Sequence, residues 1–352
     1  MSLRWLIINF IDLFSGIGGF RLALERAGHT CVAFCEIDKY ARQTYKANFN
    51  TKNETEWNDI TTITDKEIKA FGEKNKTEII CGGFPCQSFS IAGKRLGFNE
   101  KRGTMFFEFM RFARILKPKY LFLENVKGLL NHENGETFKT ILSTLDELGY
   151  DAEWQVFNSK DFGVPQNRER VFIIGHLRGE CTRKIFPLER AGGKNPNKLK
   201  EITSGVSQGY RIYDASGVST ALASQAGGLG AKTGLYAVYL DKPFGEGSCS
   251  KYYIKREVSI ASCLAARDFK GLKKNSTCIT NFSYPIKNQN IENISEMRIR
   301  KLTPLECFRL QGFPDDFYYR ARENGLSDTQ LYRQAGNSVT VNVVYTIAKN
   351  FK

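Results

Sequence analysis

Leu6-Ile7-Ile8-Asn9-Phe10-Ile11-Asp12-Leu13, running directly into Phe14-Ser15-Gly16-Ile17-Gly18-Gly19-Phe20, is the stretch whose reading decides the fold. Its first half is a near-continuous apolar run, as expected of a strand buried on both faces of a parallel sheet. Its second half puts three glycines into a turn, and a helical pattern (Leu22, Leu24, Ala27) follows. Strand, glycine turn and helix make the first unit of a nucleotide-binding sheet, with backbone free to approach a ligand at the helix N-terminus. A second apolar run, Cys31–Cys35, delivers Glu36 about 20 residues after Gly16, the offset at which an acid meets ribose hydroxyls in such folds. Asp38 is an alternative for that role. The chain has no GKS or GKT phosphate loop, and Asp12 precedes the turn, where a negative charge would repel a pyrophosphate. Both details favour a nucleoside without pyrophosphate, such as S-adenosylmethionine. Asp59-Ile60 is placed to flank an adenine. Asp59 reads equally well as the N-cap of a helix over residues 61–68.

The next apolar run, Ile79-Ile80-Cys81, stops at Gly82-Gly83-Phe84-Pro85-Cys86-Gln87-Ser88-Phe89-Ser90. A buried strand that breaks into a Gly/Pro turn presents the next side chain at the carboxyl edge of the sheet, where ligands gather in open α/β folds. That side chain is Cys86, beside a stiffening proline, and it is read as a nucleophile. A basic, glycine-rich segment follows (Gly93-Lys94-Arg95, Lys101-Arg102-Gly103), suited to a lid or a phosphate contact and also to a plain solvated loop. A helix is predicted from Met105 to Leu116, then a strand, Tyr120–Leu123, that delivers Glu124. A carboxylate ending so apolar a run should be partly buried, with its protonated form favoured. A helix over 135–148, a strand over 153–158, and the strand 171–175 preceded by Arg168 and Arg170 continue the pattern.

Length and composition bound the rest. The 352 residues suffice for one large domain or a large and a small one. Lysine and arginine exceed aspartate and glutamate by 14, which points to a polyanionic partner, nucleic acid before a membrane surface. No stretch has the ~20 apolar residues of a membrane span. The apolar N-terminus runs into Asp12 with no small-residue cleavage site, so it reads as a core strand. Nine cysteines without a CxxC pair, and only three histidines, offer no zinc spacing. They fit reduced thiols in a cytoplasm. From about 176 to 292 the alternation fades into Gly, Ser, Lys and Asn with short Tyr-rich β pieces, an irregular excursion that returns to the first domain. Leu222-Ala223-Ser224 and Leu264-Ala265-Ala266 form a faint internal echo. Thr303-Pro304-Leu305-Glu306 is an N-cap, first-turn proline and capping box. The helix they open stops at Gly312, Pro314-Asp315-Asp316 turns the chain, and a final helix runs from Val339 to Lys349.

Together these blocks resemble the cytosine-C5 DNA methyltransferases of bacteria and phages. The matching stretches, in order, are Asp12–Gly19, Glu36-Ile37-Asp38, Gly83–Gln87, Glu124-Asn125-Val126, Gln166–Arg170, Arg300–Cys307 with Gln311–Pro314, and Gly336–Val339. The resemblance implies a Rossmann-like, S-adenosylmethionine-dependent catalytic domain (1–178 and 293–352) and a small, irregular, β-rich target-recognition domain (179–292). It implies Phe14, Gly16, Gly18, Glu36, Ile37, Asp59, Ile60, Pro85, Asn337 and Val339 around the cofactor. It makes Cys86 the nucleophile, Glu124 the proton donor to the base, Arg170 the grip on its O2, and Arg168 a support for Arg170 or a phosphate contact. Ser90, Arg102, Gln208 and Arg211 are expected on duplex DNA. Many relatives carry Thr-Leu where this chain has Ala221-Leu222 and Cys263-Leu264, so phosphate contacts there are open. The implied protein is a cytoplasmic monomer, with a restriction endonuclease as a separate partner. A transfer-RNA methyltransferase, a silent DNA-binding relative and a nicotinamide oxidoreductase are the rival readings. The last leaves Pro85-Cys86 and Glu124-Asn125 unexplained.

Overall fold

In the computed structural model the described residues are 7–85, 105–180, 183–189, 199, 201–202, 211–214, 217–222, 235–239, 297–300 and 302–352. Their framework is a seven-stranded sheet. Its strands are β1 (Asn9–Leu13), β2 (Thr30–Cys35), β3 (Thr55–Trp57), β4 (Ile79–Gly83), β5 (Tyr120–Val126), β6 (Tyr150–Asn158) and, after the short β7 (Gln166–Asn167), β8 (Glu169–Leu177). Their order is β3-β2-β1-β4-β5-β8-β6. β1 through β5 run parallel, whereas β8 is antiparallel to both neighbours. The order reverses between β1 and β4, which puts the crevice for a ligand at the carboxyl ends of those strands.

Helices cover both faces: α1 (Gly19–Arg26), α2 (Lys39–Asn48), α3 (Asp65–Lys74), α4 (Met105–Leu116) and α5 (Glu136–Glu147). Because side chains alternate across a strand, β1, β5 and β8 supply two separate cores. Phe10, Phe122 and Phe172 meet Phe20, Val344 and Phe351 on one face. Ile11, Leu121 and Ile173 meet Phe109, Ile141 and Leu145 on the other. Each such buried side chain contributes ~1.5–3 kcal/mol, enough to make the sheet a rigid platform for its edge.

The C-terminal part adds α6 (Pro304–Leu310), α7 (Asp315–Glu323), α8 (Asp328–Asn337) and α9 (Val341–Ala348). Thr303 and Glu306 form the expected capping box of α6. Two expectations change here. Asp315 and Asp316 open a helix rather than a turn, in the first turn of α7 where carboxylates favour the dipole. Gly336 and Asn337 end α8, itself started by a Ser327–Gln330 capping box. α9 returns to α1 against the first face of the sheet, where Ala348 O is hydrogen-bonded to His29 Nε2.

Of the irregular region, β9 (Ile212–Asp214), β10 (Ser219–Thr220) and β11 (Leu235–Tyr239) are described, and β12 (Met297–Arg300) follows. β11 pairs with β9 in parallel and with β12 antiparallel. β12, which a boundary at residue 293 assigns to the first domain, therefore pairs with a strand of the excursion. β10 lies parallel to β7, Ser219 opposite Gln166. No helix among the described residues is long and apolar enough to cross a membrane.

Candidate active site

The carboxyl edge of β1, β2, β4 and β5 opens into one crevice of about 650 Å³, within the range of ligand pockets. Its first wall is the glycine turn. Phe14, Gly16 and Gly18 take left-handed backbone (φ 54°, 55° and 90°). Gly18 tolerates this without a Cβ, and an added one would lie 2.3 Å from the Phe49 ring. The turn is clamped by Glu36, which accepts hydrogen bonds from Gly16 N and from Asp38 N, both at 2.8 Å. Burial raises the Glu36 pKa, and the two backbone donors oppose that rise. An ionised carboxylate has about four acceptor positions, so two remain for ligand hydroxyls. Ile37 is 70% exposed beside it, an apolar surface facing the crevice. On the far rim, Arg333 reaches Asp38 at 3.3 Å, and Asn337 also lines the wall.

This donor set fits S-adenosylmethionine: a carboxylate for ribose hydroxyls, with Phe14, Ile37 and Pro85 as apolar surfaces for a nucleoside. The charge of Asp12 is no reason for that ligand, however. Asp12 is fully buried, pushed up to about 8 by burial, so at neutral pH it is mostly uncharged and repels nothing at the turn. Gly18, Asp59, Ile60 and Val339 do not line the crevice. Gly18 packs on Phe49, and Val339 packs on Gly19. Ile60 is in the core, its carbonyl accepting from Arg111. Asp59 accepts from Thr61 N and Thr61 Oγ1, and the N-cap of α3 is Thr64, not Asp59.

The second wall is built from β4, β5 and β8. Gly83 sits opposite Glu124 in the ladder, and a Cβ at Gly83 would come within 2.9 Å of Glu124 Oε2. The missing side chain is what leaves room for the carboxylate. Glu124 is buried, and burial raises its pKa against the opposing charges of Arg170 and Arg168. Arg170, the second residue of the adjacent strand, holds Glu124 Oε1 at 3.1 Å from its Nε. A carboxyl group that readily keeps its proton, next to a guanidinium, offers a donor and a cation at one edge of a planar ring. Asn125, which the sequence offers only as a member of a motif, has a definite task. Its Nδ2 donates to Phe84 O at 2.8 Å, while its Oδ1 accepts from Val126 N. It thus fixes the turn two residues before Cys86.

Arg168 is placed differently from Arg170. Its guanidinium is almost wholly buried and donates to three backbone carbonyls: Leu222 at 2.8 Å, Gly336 at 3.0 Å and Ser338 at 2.8 Å. Burial and the neighbouring Arg170 push its pKa down. Those bonds engage both Nη arms, and the residue still lines the crevice. Arg211 is partly exposed, with Glu201 3.8 Å away. Cys86, Ser90, Arg102 and Gln208, and the echo at Leu264, lie outside the described residues.

A family model described as C-5 cytosine-specific DNA methylase matches residues 8–352. The chain belongs to that family. Among curated members of the C-5 cytosine-specific DNA methylases, the type II methyltransferase M.HhaI of Haemophilus parahaemolyticus is 32% identical, over 97% of this chain and 94% of its own length. M.HpaII of Haemophilus parainfluenzae is 38% identical, over 97% and 88%. The fold is that of the solved methyltransferase EhMeth of Entamoeba histolytica, with a TM-score of 0.61 at 21% identity over 97% of this chain and 96% of that one.

Proposed function

We propose that this chain methylates C5 of a flipped-out cytosine in a specific duplex DNA sequence, through a covalent bond between Cys86 and C6. The observation that carries this reading is the Glu124–Arg170 pair, 3.1 Å apart on adjacent strands at the edge of the crevice that Pro85 lines. Cytosine C5 is too weak a nucleophile to take a methyl group directly. The thiolate of Cys86 adds to C6, and the electron pair of the 5,6 double bond moves so that C5 becomes enamine-like and nucleophilic. Glu124 in its protonated form donates toward N3 and accepts from the N4 amino group, drawing electrons in the direction the addition needs. Arg170 holds O2 in the same plane. Glu36, Phe14, Ile37, Pro85 and Asn337 would hold S-adenosylmethionine, which would supply an electrophilic methyl carbon and leave as the neutral thioether S-adenosylhomocysteine. Once C5 carries its fourth substituent, its proton leaves to a base, the C5–C6 double bond reforms, and the sulfur departs with its electron pair. A stacked base is out of reach of these groups, so the cytosine leaves the helix.

Residues 179–292 serve as the target-recognition domain, with Gln208 and Arg211 among its DNA contacts, and Ser90 and Arg102 on the catalytic side. The excess of 14 positive charges supports a polyanionic substrate. The enzyme acts as a cytoplasmic monomer, paired with a separate endonuclease for the same target. Methyl transfer from labelled S-adenosylmethionine to duplex DNA and to bulk transfer RNA tests the substrate. Bisulfite sequencing of the product names the site. Transfer to RNA alone would overturn the DNA reading, and undiminished turnover by Cys86→Ser would remove the nucleophile.

A further inference from the structure

We propose that Arg168 is a positioning residue that couples the crevice binding the cofactor to the recognition-side segment 217–222, by holding both through one guanidinium. The proposal rests on the methyltransferase reading for what the crevice binds. Its support is the geometry of three hydrogen bonds. One arm, Nη2, donates to Gly336 O and Ser338 O, the carbonyls on either side of Asn337, whose residue lines the crevice. The other, Nη1, donates to Leu222 O, in a segment more than a hundred residues earlier in the chain. The backbone N–H of Leu222 is held as well, by Gln166 Oε1 at 3.0 Å. Gln166 of β7 and Arg168, which joins β7 to β8, therefore grip both polar groups of one residue.

Several features make this more than a staple. The guanidinium is planar and its two arms keep a fixed angle, so a displacement at one arm is transmitted to the other rather than absorbed along a flexible stem. Arg168 is 3% exposed, too enclosed for solvent to replace a lost bond, so the carbonyls must move with it or remain unpaired. Its Nε finds no partner among the described residues, so the group is held through its two Nη ends alone. The segments it joins also share a second link. Gln166 Nε2 donates to Leu310 O, and the neighbouring Gln311 Nε2 donates to Ala335 O, at the start of the same crevice wall. A ligand that draws Asn337 inward therefore pulls on the carbonyls flanking it, and Leu222 follows. In function, a loaded crevice would set the strand β10 that precedes Leu222 in the position from which DNA is met.

Hydrogen exchange of the full-length protein, with and without S-adenosylhomocysteine, tests the coupling without any DNA or turnover. Protection of residues 14–19 reports that the ligand has bound. In the wild type we expect peptides spanning 217–222 to slow by about 5-fold or more on binding. In Arg168→Lys, which keeps the charge but not the fork, protection at 14–19 should persist and that at 217–222 should vanish. A purely structural arginine would leave 217–222 slow and indifferent to ligand. Unchanged exchange there in the wild type, or ligand-dependent slowing that survives in Arg168→Lys, overturns the proposal. Failure of the ligand to protect 14–19 overturns the cofactor reading instead, and this proposal with it. Should Arg168→Lys not fold, the guanidinium NMR lines of Arg168 in the wild type decide. Coupling requires them to shift on ligand addition, and fixed lines refute it.

Discussion

Replacing Asp12 with asparagine should remove a pH dependence of stability that is written into the first strand. Asp12 is fully buried, its Oδ1 3.8 Å from Cys81 Sγ and its Oδ2 without a partner among the described residues. Burial is the largest influence on it, and the nearby Arg21 only partly offsets that; the outcome is a pKa of about 8 against an ordinary 3.8. The folded-state value is raised, so between those limits the native protein holds a proton that the unfolded chain has released. The contribution of Asp12 to stability is therefore complete below pH ~4 and is lost as pH rises toward ~8, at up to about 1.4 kcal/mol per pH unit. Across the window that sums to roughly 6 kcal/mol, an upper limit for a single group. The asparagine side chain of the variant is neutral throughout. It carries a constant penalty of about 1–3 kcal/mol for an unpaired amide, which offsets its curve without tilting it. Urea unfolding followed at half-unit steps from pH 5 to 9, wild type beside Asp12→Asn, isolates the effect, because the other titrating groups are common to both. The difference curve should climb in favour of Asp12→Asn as pH rises, then flatten above about 8. Parallel curves would refute the reasoning and show that Asp12 is ionised and compensated in the folded protein.

Glu124 and Arg170 should separate in their pH profiles. In the proposed mechanism methyl transfer uses the protonated carboxyl, so the rate should fall as pH rises through its raised pKa. Arg170→Ala removes a charge that opposes that rise, and should carry the alkaline limb of a single-turnover profile to higher pH; a limb displaced downward would contradict the assignment. Glu124→Gln should abolish the limb and slow transfer by about 10²–10⁴-fold. Gly83→Ala should cripple transfer through the 2.9 Å approach of its Cβ to Glu124 Oε2, while thermal unfolding moves by only about 2–4 °C; full activity would mean that the carboxylate has room to spare. Glu36→Gln turns an amide N–H toward Gly16 N or Asp38 N, and calorimetry should record weaker S-adenosylhomocysteine binding by about 10-fold or more, the equivalent of ~1.4 kcal/mol.

Much of this could be read from the chain because strand ends are local events. A run such as Ile79–Cys81 that breaks at glycines declares both the strand and the edge where it ends, and Glu36, Pro85 and Glu124 all lie on such edges. Capping chemistry locates α6 from four residues, Thr303 to Glu306. What escapes a sequence reading depends on burial and on distant partners. Asp12 looks like a charge in the sequence, but the sheet around it removes the charge. Arg168 and Arg170 look alike in sequence, spaced by two, yet one turns into the protein toward carbonyls from Leu222, Gly336 and Ser338, and the other meets Glu124. No local pattern announces carbonyl acceptors. The helices α7 and α8 leave little trace because they are short and heavily polar, with buried faces of only a few residues such as Phe317, Ala321 and Leu331. Gly18, Ile60 and Val339 belong to the motifs but do not line the crevice among the described residues.

The crevice wall has a consequence for the order in which the protein becomes competent. Residues between Phe14 and Ala41 line the crevice, and so do residues between Arg333 and Ser338. Some three hundred residues separate them, including the whole of the excursion. Contacts so distant in sequence close late, after the entropy of the long intervening loop has been overcome. A chain interrupted between Leu177 and Arg333 has every strand of the seven-stranded sheet but lacks the later of these two parts of the crevice. The last wall to arrive therefore ties the crevice to the whole chain: on the proposed reading, the site for the methyl donor closes only after residues 179–292 have been made.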